Sequence, residues 1–178
     1  PVYSVDLIRS VTEAGIEVVA TDQNESAPGF EVADHAEAVD ITDYEGILSV
    51  ANEYGVDGGI PINDYGVQTA AEIAEELSLA GIDPTVAATC TDKAEMRNSW
   101  ERQGIPQPDY QIVTTLDETR EAALQIGLPV VLKPASSVGG GSRGVSIADT
   151  EGDVKDAFEF ADSVYEDDNR ILVEDCVK

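Results

Sequence analysis

Lysine and arginine are scarce in this sequence of 178 residues, where ten basic side chains stand against 36 acidic ones, for a formal net charge of -26. A surface of that sign repels nucleic acids and anionic membranes, because binding to either requires a basic patch. The acidic residues alternate with apolar ones, as in residues 69–77, instead of forming one block. This distribution indicates the charged outer face of a folded protein and not a disordered acidic tail.

Cysteines and long apolar runs are also scarce. The two cysteines, Cys90 and Cys176, are too few for a disulfide framework or a metal cluster, and we interpret both as small apolar side chains. No stretch reaches the roughly 20 apolar residues of a membrane span, and the first residues lack the pattern of a signal peptide. We therefore expect a cytoplasmic protein. Its 42% hydrophobic residues suffice for one medium domain or two small ones.

The acidic excess is the pattern expected of a protein adapted to molar salt inside the cell, that is, of a halophilic protein. At about 1 M salt the Debye length falls to roughly 3 Å, so repulsion between surface carboxylates is screened. We predict that the melting temperature rises as KCl is increased from about 0.1 M to about 2 M. Thermal unfolding followed by circular dichroism checks this, and a flat or falling melting temperature would contradict it.

Short apolar segments alternate with amphipathic helices along the first ninety residues. The pattern predicts helices over residues 4–14, 43–54 and 67–79, and strands over residues 16–20, 36–41 and 56–62. Such alternation is typical of an open parallel sheet of the Rossmann type. A sheet of this kind usually starts on a strand, whereas this chain starts on a helix. We therefore expect a first strand upstream and exposed apolar surface beside residues 16–20.

A second unit follows a predicted helix over residues 91–100 and a linker at residues 105–108. Further strands are predicted over residues 110–113, 129–133, 144–147 and 170–174, and helices over residues 116–126 and 152–161. These elements form a small α+β unit, with apolar surface expected to be exposed beside residues 170–173. We divide the chain into residues 1–90, a connecting helix and linker at residues 91–108, and residues 109–178.

The most informative segment is residues 130–146, where a strand ending in Lys133 is followed by a loop of glycines and serines and by a second strand. Glycines let backbone N–H groups surround an anion, and a lysine at the strand end supplies the compensating charge. The segment matches neither the GxxxxGK[ST] P-loop nor the GxGxxG dinucleotide turn. It favours a triphosphate site, with an ordinary flexible hairpin as the alternative.

Seven segments, in this order and spacing, resemble the ATP-grasp superfamily and its carbamoyl phosphate synthetase large-chain-like members. They are residues 15–22, 33–35, 91–93, 104–108, 127–134, 140–145 and 172–177. The resemblance covers essentially the whole chain. It implies an α/β protein in which a Rossmann-like (pre-ATP-grasp) parallel sheet domain, lacking its first strand, precedes a small α+β ATP-grasp lid subdomain. By this resemblance the chain is truncated at both ends.

The resemblance, carried over residue by residue, implies that Lys93 and Lys133 contact the phosphates of ATP. It also implies a lid loop over the β- and γ-phosphates, formed by Gly139, Gly140, Gly141 and Ser142. For Lys93 the alternative is a solvent-exposed lysine on a helix face. Arg143 could pair with a phosphate or with an acyl-phosphate intermediate, or it could brace the loop against a carboxylate.

The segment from Glu174 to Val177 resembles the adenine hinge of the family, in which the backbone carbonyl of Asp175 and the N–H of Val177 contact the base. The magnesium ligands and the catalytic residues of the family fall beyond residue 178 by this resemblance. ATP and Mg²⁺ are therefore the expected cofactors, with the metal held outside the chain. His35 matches a histidine of the family, and we interpret it as a packed side chain.

For the intact parent protein the resemblance implies an ATP-dependent ligase that acts on a small carboxylate or bicarbonate through an acyl phosphate. A homodimer of the parent is compatible with this resemblance. The chain alone is expected to be inactive. One alternative is a non-catalytic nucleotide-binding module. Another is an NAD-dependent Rossmann oxidoreductase, because residues 16–22 resemble a second strand ending in an acidic ribose ligand, Asp22.

Overall fold

The fold is taken from a computed structural model, which describes residues 2–136, 143–164 and 168–177, with the side chains of all of these except residues 2 and 3. The chain divides into two compact units, Pro1–Ala87 and Ala88–Lys178. Within the described ranges the first unit contains a parallel sheet and the second an antiparallel one. The α/β fold class is confirmed.

The described part of the first unit places helices around a short parallel strand pair. Its elements are α1 (Val2–Glu13), β1 (Val19–Asp22), β2 (His35–Ala38), α2 (Tyr44–Tyr54) and α3 (Val67–Glu76), with 3₁₀ turns at Pro28–Glu31 and Asp64–Gly66. Strands β1 and β2 run parallel, with Val19 opposite His35. All three predicted helices are confirmed, with bounds that shift by up to three residues.

The strand predicted over residues 56–62 is wrong. These residues are described and form no strand, and the side chains of Ile60 and Ile62 are 74% and 38% exposed. A strand is held by hydrogen bonds to a neighbour, and none of the described strands pairs with this segment. Exposed apolar surface was expected beside residues 16–20; there Ile16 is 58% exposed, while the residues of β1 are half-buried.

Helix α4 (Pro84–Thr91) was not predicted, although its first turn has ordinary start signals. Pro84 occupies the first helical position, and the Asp83 carboxylate accepts a hydrogen bond from the N–H of Thr85 at 2.7 Å. Cys90, near the end of this helix, is exposed, while Cys176 is half-buried. The interpretation of Cys90 as a packed apolar side chain is therefore wrong.

In the described part of the second unit, four strands form an antiparallel sheet in the order β3-β6-β4-β5. The elements are α5 (Lys93–Arg102), β3 (Tyr110–Val113), α6 (Leu116–Ile126), β4 (Val130–Pro134), β5 (Ser146–Ala148), α7 (Val154–Asp162) and β6 (Ile171–Asp175). Each predicted element of this unit is confirmed. Since β6 pairs with both β3 and β4, residues 171–173 are buried, and the exposed apolar surface expected there is absent from the described structure.

The core of the second unit lies between one face of its sheet and helices α6 and α7. The core side chains of the two central strands are those of Val130, Leu132, Ile171 and Val173, all 1% exposed or less. Alanines on the two helices let the helices pack closely against this face. Because side chains alternate along a strand, Lys133 and Glu174 point to the opposite face.

Candidate functional site

Lys133 and Glu174 form the centre of the candidate site on neighbouring antiparallel strands. In the ladder Lys133 lies opposite Leu172, and Val131 lies opposite Glu174, so the two charged side chains are diagonal neighbours. The Nζ of Lys133 donates a hydrogen bond to Oε1 of Glu174. Glu174 is 7% exposed and the Lys133 side chain 18% exposed, so the pair is largely shielded from water.

Arg97 of α5 brings a second cation to the same carboxylate, and sequence analysis missed it. Its NH2 group donates to Oε2 of Glu174, so each carboxylate oxygen contacts a different cation. The Nε2 of Gln107 donates to the backbone carbonyl of Arg97 at 3.1 Å, and the guanidinium lies 5.2 Å from the centre of the Trp100 ring. Arg97 follows Lys93 by four residues, and this helical spacing could have identified it.

Lys93 is the first residue of α5 and lies at the start of the segment that follows β4. The helix starts there because the carboxylate of Asp92 accepts from the N–H of Glu95 at 2.9 Å. The backbone N–H of Lys93 donates to the carbonyl of Ala135 at 2.7 Å, and its Nζ donates to the carbonyl of Ser136 at 3.0 Å. Lys93 therefore contacts Ser136, which follows Lys133 by three residues in the sequence. The side chain of Lys93 is half-buried.

Arg170 ties the start of β6 to the start of α5. Its NH2 group donates to Oδ2 of Asp92 at 2.6 Å and to Oδ2 of Asp168 at 2.7 Å, while its carbonyl accepts from the N–H of Ala135 at 2.9 Å. Hydrogen bonds from the Arg170 side chain lower the pKa of Asp168. Hydrogen bonds to Asp168, and then to Asp92, raise the pKa of Arg170. Both charges therefore persist at neutral pH and fix the backbone around Lys93.

The predicted loop residues Gly139, Gly140, Gly141 and Ser142 lie outside the described residues. Arg143, just after them, is exposed. Gly144 has a φ of +71°, and a Cβ placed there would lie 2.7 Å from Cγ2 of Val164 and 2.9 Å from Cγ of Pro134. Only glycine fits this backbone and this space without strain. The end of the glycine-rich segment is thus packed against β4.

The predicted adenine hinge follows directly from Glu174. The N–H of Asp175 donates to the carbonyl of Asp109 at 2.9 Å, and the N–H of Val177 donates to the carbonyl of Asp175 at 3.1 Å. The two backbone groups that the resemblance assigns to the base therefore lie side by side, and a base contact would replace the bond between them. The side chains of Asp175 and Val177 are exposed.

Other candidate features do not include the two lysines. His35, in the first unit, contacts Glu17 at 2.7 Å and packs against the Tyr54 ring at 4.8 Å. A concavity of about 630 Å³ is lined by residues 104–111 together with Glu101, Gln125 and Ile126, and not by either candidate lysine. The described side chains include no group of three or more His, Cys, Asp and Glu that could hold a metal ion. None of the described helices is long and apolar enough to cross a membrane.

The chain has a parallel α/β unit followed by an antiparallel sheet, and two lysines lie at the start of a glycine-rich segment. This arrangement is that of a nucleotide-binding protein of the ATP-grasp type. Residues 2–85 match the family described as PylC-like, N-terminal domain. Residues 92–178 match the family described as carbamoyl-phosphate synthase L chain, ATP binding domain. The chain belongs to the ATP-grasp superfamily.

Several relatives agree with this membership. The formate-dependent phosphoribosylglycinamide formyltransferase of Rhodococcus jostii is 31% identical over 159 residues, which are 88% of this chain and 39% of the relative. A biotin carboxylase domain of 2-oxoglutarate carboxylase from Hydrogenobacter thermophilus, solved with MgADP, ADP and bicarbonate, is 26% identical with a TM-score of 0.73. The match covers 98% of this chain and 42% of that one. The chain thus spans about two fifths of the relatives it matches.

A third relative supports the fold alone. The ADP complex of an N5-carboxyaminoimidazole ribonucleotide synthetase is 18% identical, with a TM-score of 0.80 over 98% of this chain and 44% of that one. At this identity the backbone arrangement is shared, while the side chains of a substrate site need not be.

Proposed function

We propose that this chain is the ATP-binding part of an ATP-dependent ligase that joins a carboxylate or bicarbonate to an amine through an acyl phosphate. The observation that carries the proposal is the convergence of Lys93 and Lys133 at the start of the glycine-rich segment. The Nζ of Lys93 lies 3.0 Å from the carbonyl oxygen of Ser136, and Lys133 is the last residue but one of the strand that leads into the segment.

The charges of this cluster suit a polyphosphate. The triphosphate of ATP carries about four negative charges, and the protein has a net charge of -26. Nearby cations must therefore offset the repulsion between the nucleotide and the protein. Lys133 and Arg97 both contact the carboxylate of Glu174, and Lys93 contacts the start of the segment that follows Lys133. Such a concentration is notable in a chain with ten basic residues in all.

In the proposed reaction the chain binds and orients, and performs no covalent step itself. The two lysines hold the phosphates and neutralise the charge that spreads over the transferred phosphoryl group. Backbone groups of Asp175 and Val177 contact the base. Mg²⁺, when bound, would neutralise phosphate charge further. We expect the catalytic residues and magnesium ligands of the parent outside this chain, so the chain alone binds ATP without appreciable turnover.

The relatives suggest the kind of second substrate. The formyltransferase relative is named as formate-dependent, and the biotin carboxylase domain was solved with bicarbonate. We therefore propose a small carboxylate or bicarbonate as the partner of ATP. The same biotin carboxylase domain is described as a dimer, which supports a homodimer of the parent. A cytoplasmic location and adaptation to high salt belong to the same proposal.

An NAD-dependent oxidoreductase is less well supported. The carboxylate of Asp22, which would hold a ribose, accepts a hydrogen bond from the N–H of Asn24 at 2.9 Å and so stabilises a turn. That function also leaves the clustered lysines without a role. A non-catalytic nucleotide-binding module would use the same contacts as a ligase and differs only in turnover by the parent.

Equilibrium binding separates these functions. We predict that the chain binds MgATP and MgADP in calorimetry and does not bind NADH under the same conditions. Binding of NADH in preference to both adenine nucleotides would overturn the ligase proposal. Formation of ADP by the intact parent with formate or bicarbonate and an amine would distinguish a ligase from a binding module.

A further inference from the structure

Arg97 is a buried cation whose contacts are not explained by stability alone. It is 7% exposed, and its carboxylate partner, Glu174, lies 77 residues away in the sequence. A buried ion pair is weak evidence for stability, because loss of water around both charges offsets much of their attraction. Among the described residues the Nε of Arg97 also has no hydrogen-bond acceptor. A buried donor left in this way calls for a functional explanation.

Glu174 divides its two oxygens between two cations. Oε1 accepts from Lys133 and Oε2 accepts from Arg97. The position of Arg97 is itself fixed, since Trp100 lies against the guanidinium and Gln107 bonds its backbone. Arg97 therefore holds one oxygen of the carboxylate while its own side chain and backbone are held by neighbours. The Lys133 ammonium has three donors, of which this contact uses one.

A phosphate that binds Lys133 must compete with Glu174 for the same ammonium group. With Arg97 present, the three side chains carry a net charge of about +1, from two cations and one carboxylate. Without Arg97 the net charge falls to about zero, and the carboxylate would be paired with Lys133 alone. Removing the charge of Glu174 as well would restore about +1. The attraction for a phosphate thus depends on both partners of Lys133.

We propose that Arg97 is a positioning residue: it holds and balances the carboxylate of Glu174, so that the ammonium of Lys133 keeps a net positive charge for a nucleotide phosphate. The inference rests on the proposed function, because it takes Lys133 to contact that phosphate. Arg97 need not touch the nucleotide itself. It lies on helix α5, whereas Lys133 and Glu174 lie on strands β4 and β6.

Calorimetric titration of MgATP into variants of the full chain tests the inference, at one matched salt concentration. Arg97→Met is expected to raise Kd about tenfold, and Arg97→Lys to stay within about threefold of the wild type. Adding Glu174→Gln to Arg97→Met is expected to recover most of the loss, an effect that a merely structural role would not give. Arg102→Met, on the exposed side of the same helix, is the matched control and leaves Kd unchanged.

The outcomes separate the inference from the function beneath it. A wild-type chain that binds no MgATP overturns both. If the wild type binds and the double variant is as weak as Arg97→Met, Arg97 acts only through packing and the inference is wrong. If Arg97→Met does not fold, the single variant Glu174→Gln decides. This variant raises the net charge of the three side chains, so MgATP binding that is tighter than or equal to that of the wild type supports the inference. Weaker MgATP binding overturns it.

Discussion

Replacing Lys133 with alanine is expected to weaken MgATP binding about 10- to 100-fold, because each charge-assisted phosphate contact contributes roughly 1.5 to 3 kcal/mol. The lysine is the last residue but one of β4, just before the glycine-rich segment, and its side chain is largely shielded from water. Shielding raises the effect of each charge relative to an exposed site. Calorimetry with the variant and the wild type at matched salt measures the loss.

Lys155→Ala is the matched control for this prediction. Lys155 lies on α7, its side chain is 56% exposed, and it pairs with Glu159 at 3.5 Å. An exposed pair of this kind contributes little, so MgATP affinity should be unchanged. Equal affinities for Lys133→Ala and Lys155→Ala would mean that the segment after Lys133 is an ordinary hairpin and that the nucleotide site is wrongly placed.

Gly144→Ala is expected to destabilise the second unit by roughly 2 to 4 kcal/mol, as the sum of backbone strain and overpacking. The backbone has a φ of +71°, and the new Cβ would lie 2.7 Å from Val164 and 2.9 Å from Pro134. Neither side chain has a flexible end that can move aside. The chain has a single tryptophan, Trp100, which lies in this unit, so its fluorescence during urea unfolding reports the change.

Gly104→Ala separates the two contributions. Gly104 belongs to the same unit and has a φ of +66°, but a Cβ there would meet no atom within 4 Å. This variant should therefore lose only the cost of backbone strain, about 1 kcal/mol. Equal losses of unfolding free energy for the two variants would show that crowding of the new Cβ at position 144 against Val164 and Pro134 contributes nothing.

Local signals predicted the described helices other than α4. Helix α6 begins and ends where the sequence predicts, because Thr115 and Glu118 form a capping box at its start and Gly127 follows its end. Helix α5, predicted over residues 91–100, also begins at a local cap, where the side chain of Asp92 accepts from the N–H of Glu95. These signals act within a few residues, so a single sequence contains them in full.

Long-range pairing was not predictable in the same way. Residues 56–62 contain three apolar β-branched side chains, but Asp57, two glycines and Pro61 stand between them and disfavour a strand. Strands also need partners, and the described strands offer none. The central position of β6 and the contact of Arg97 with Glu174 both join residues far apart in the sequence. Helical spacing places Arg97 and Lys93 on one face of α5, yet it does not say what that face meets.

The position of β6 in the sheet has a consequence for the order of folding. Among the described strands, β3 joins the sheet only through β6, which is the last of them to be synthesised. On the ribosome β4 and β5 can already pair as a hairpin, whereas β3 must wait for residues 171–175 to emerge. Closing that pairing across about sixty residues is slow relative to local hairpin formation. The growing chain therefore leaves the apolar face of an incomplete sheet open to other chains and to chaperones until β6 emerges.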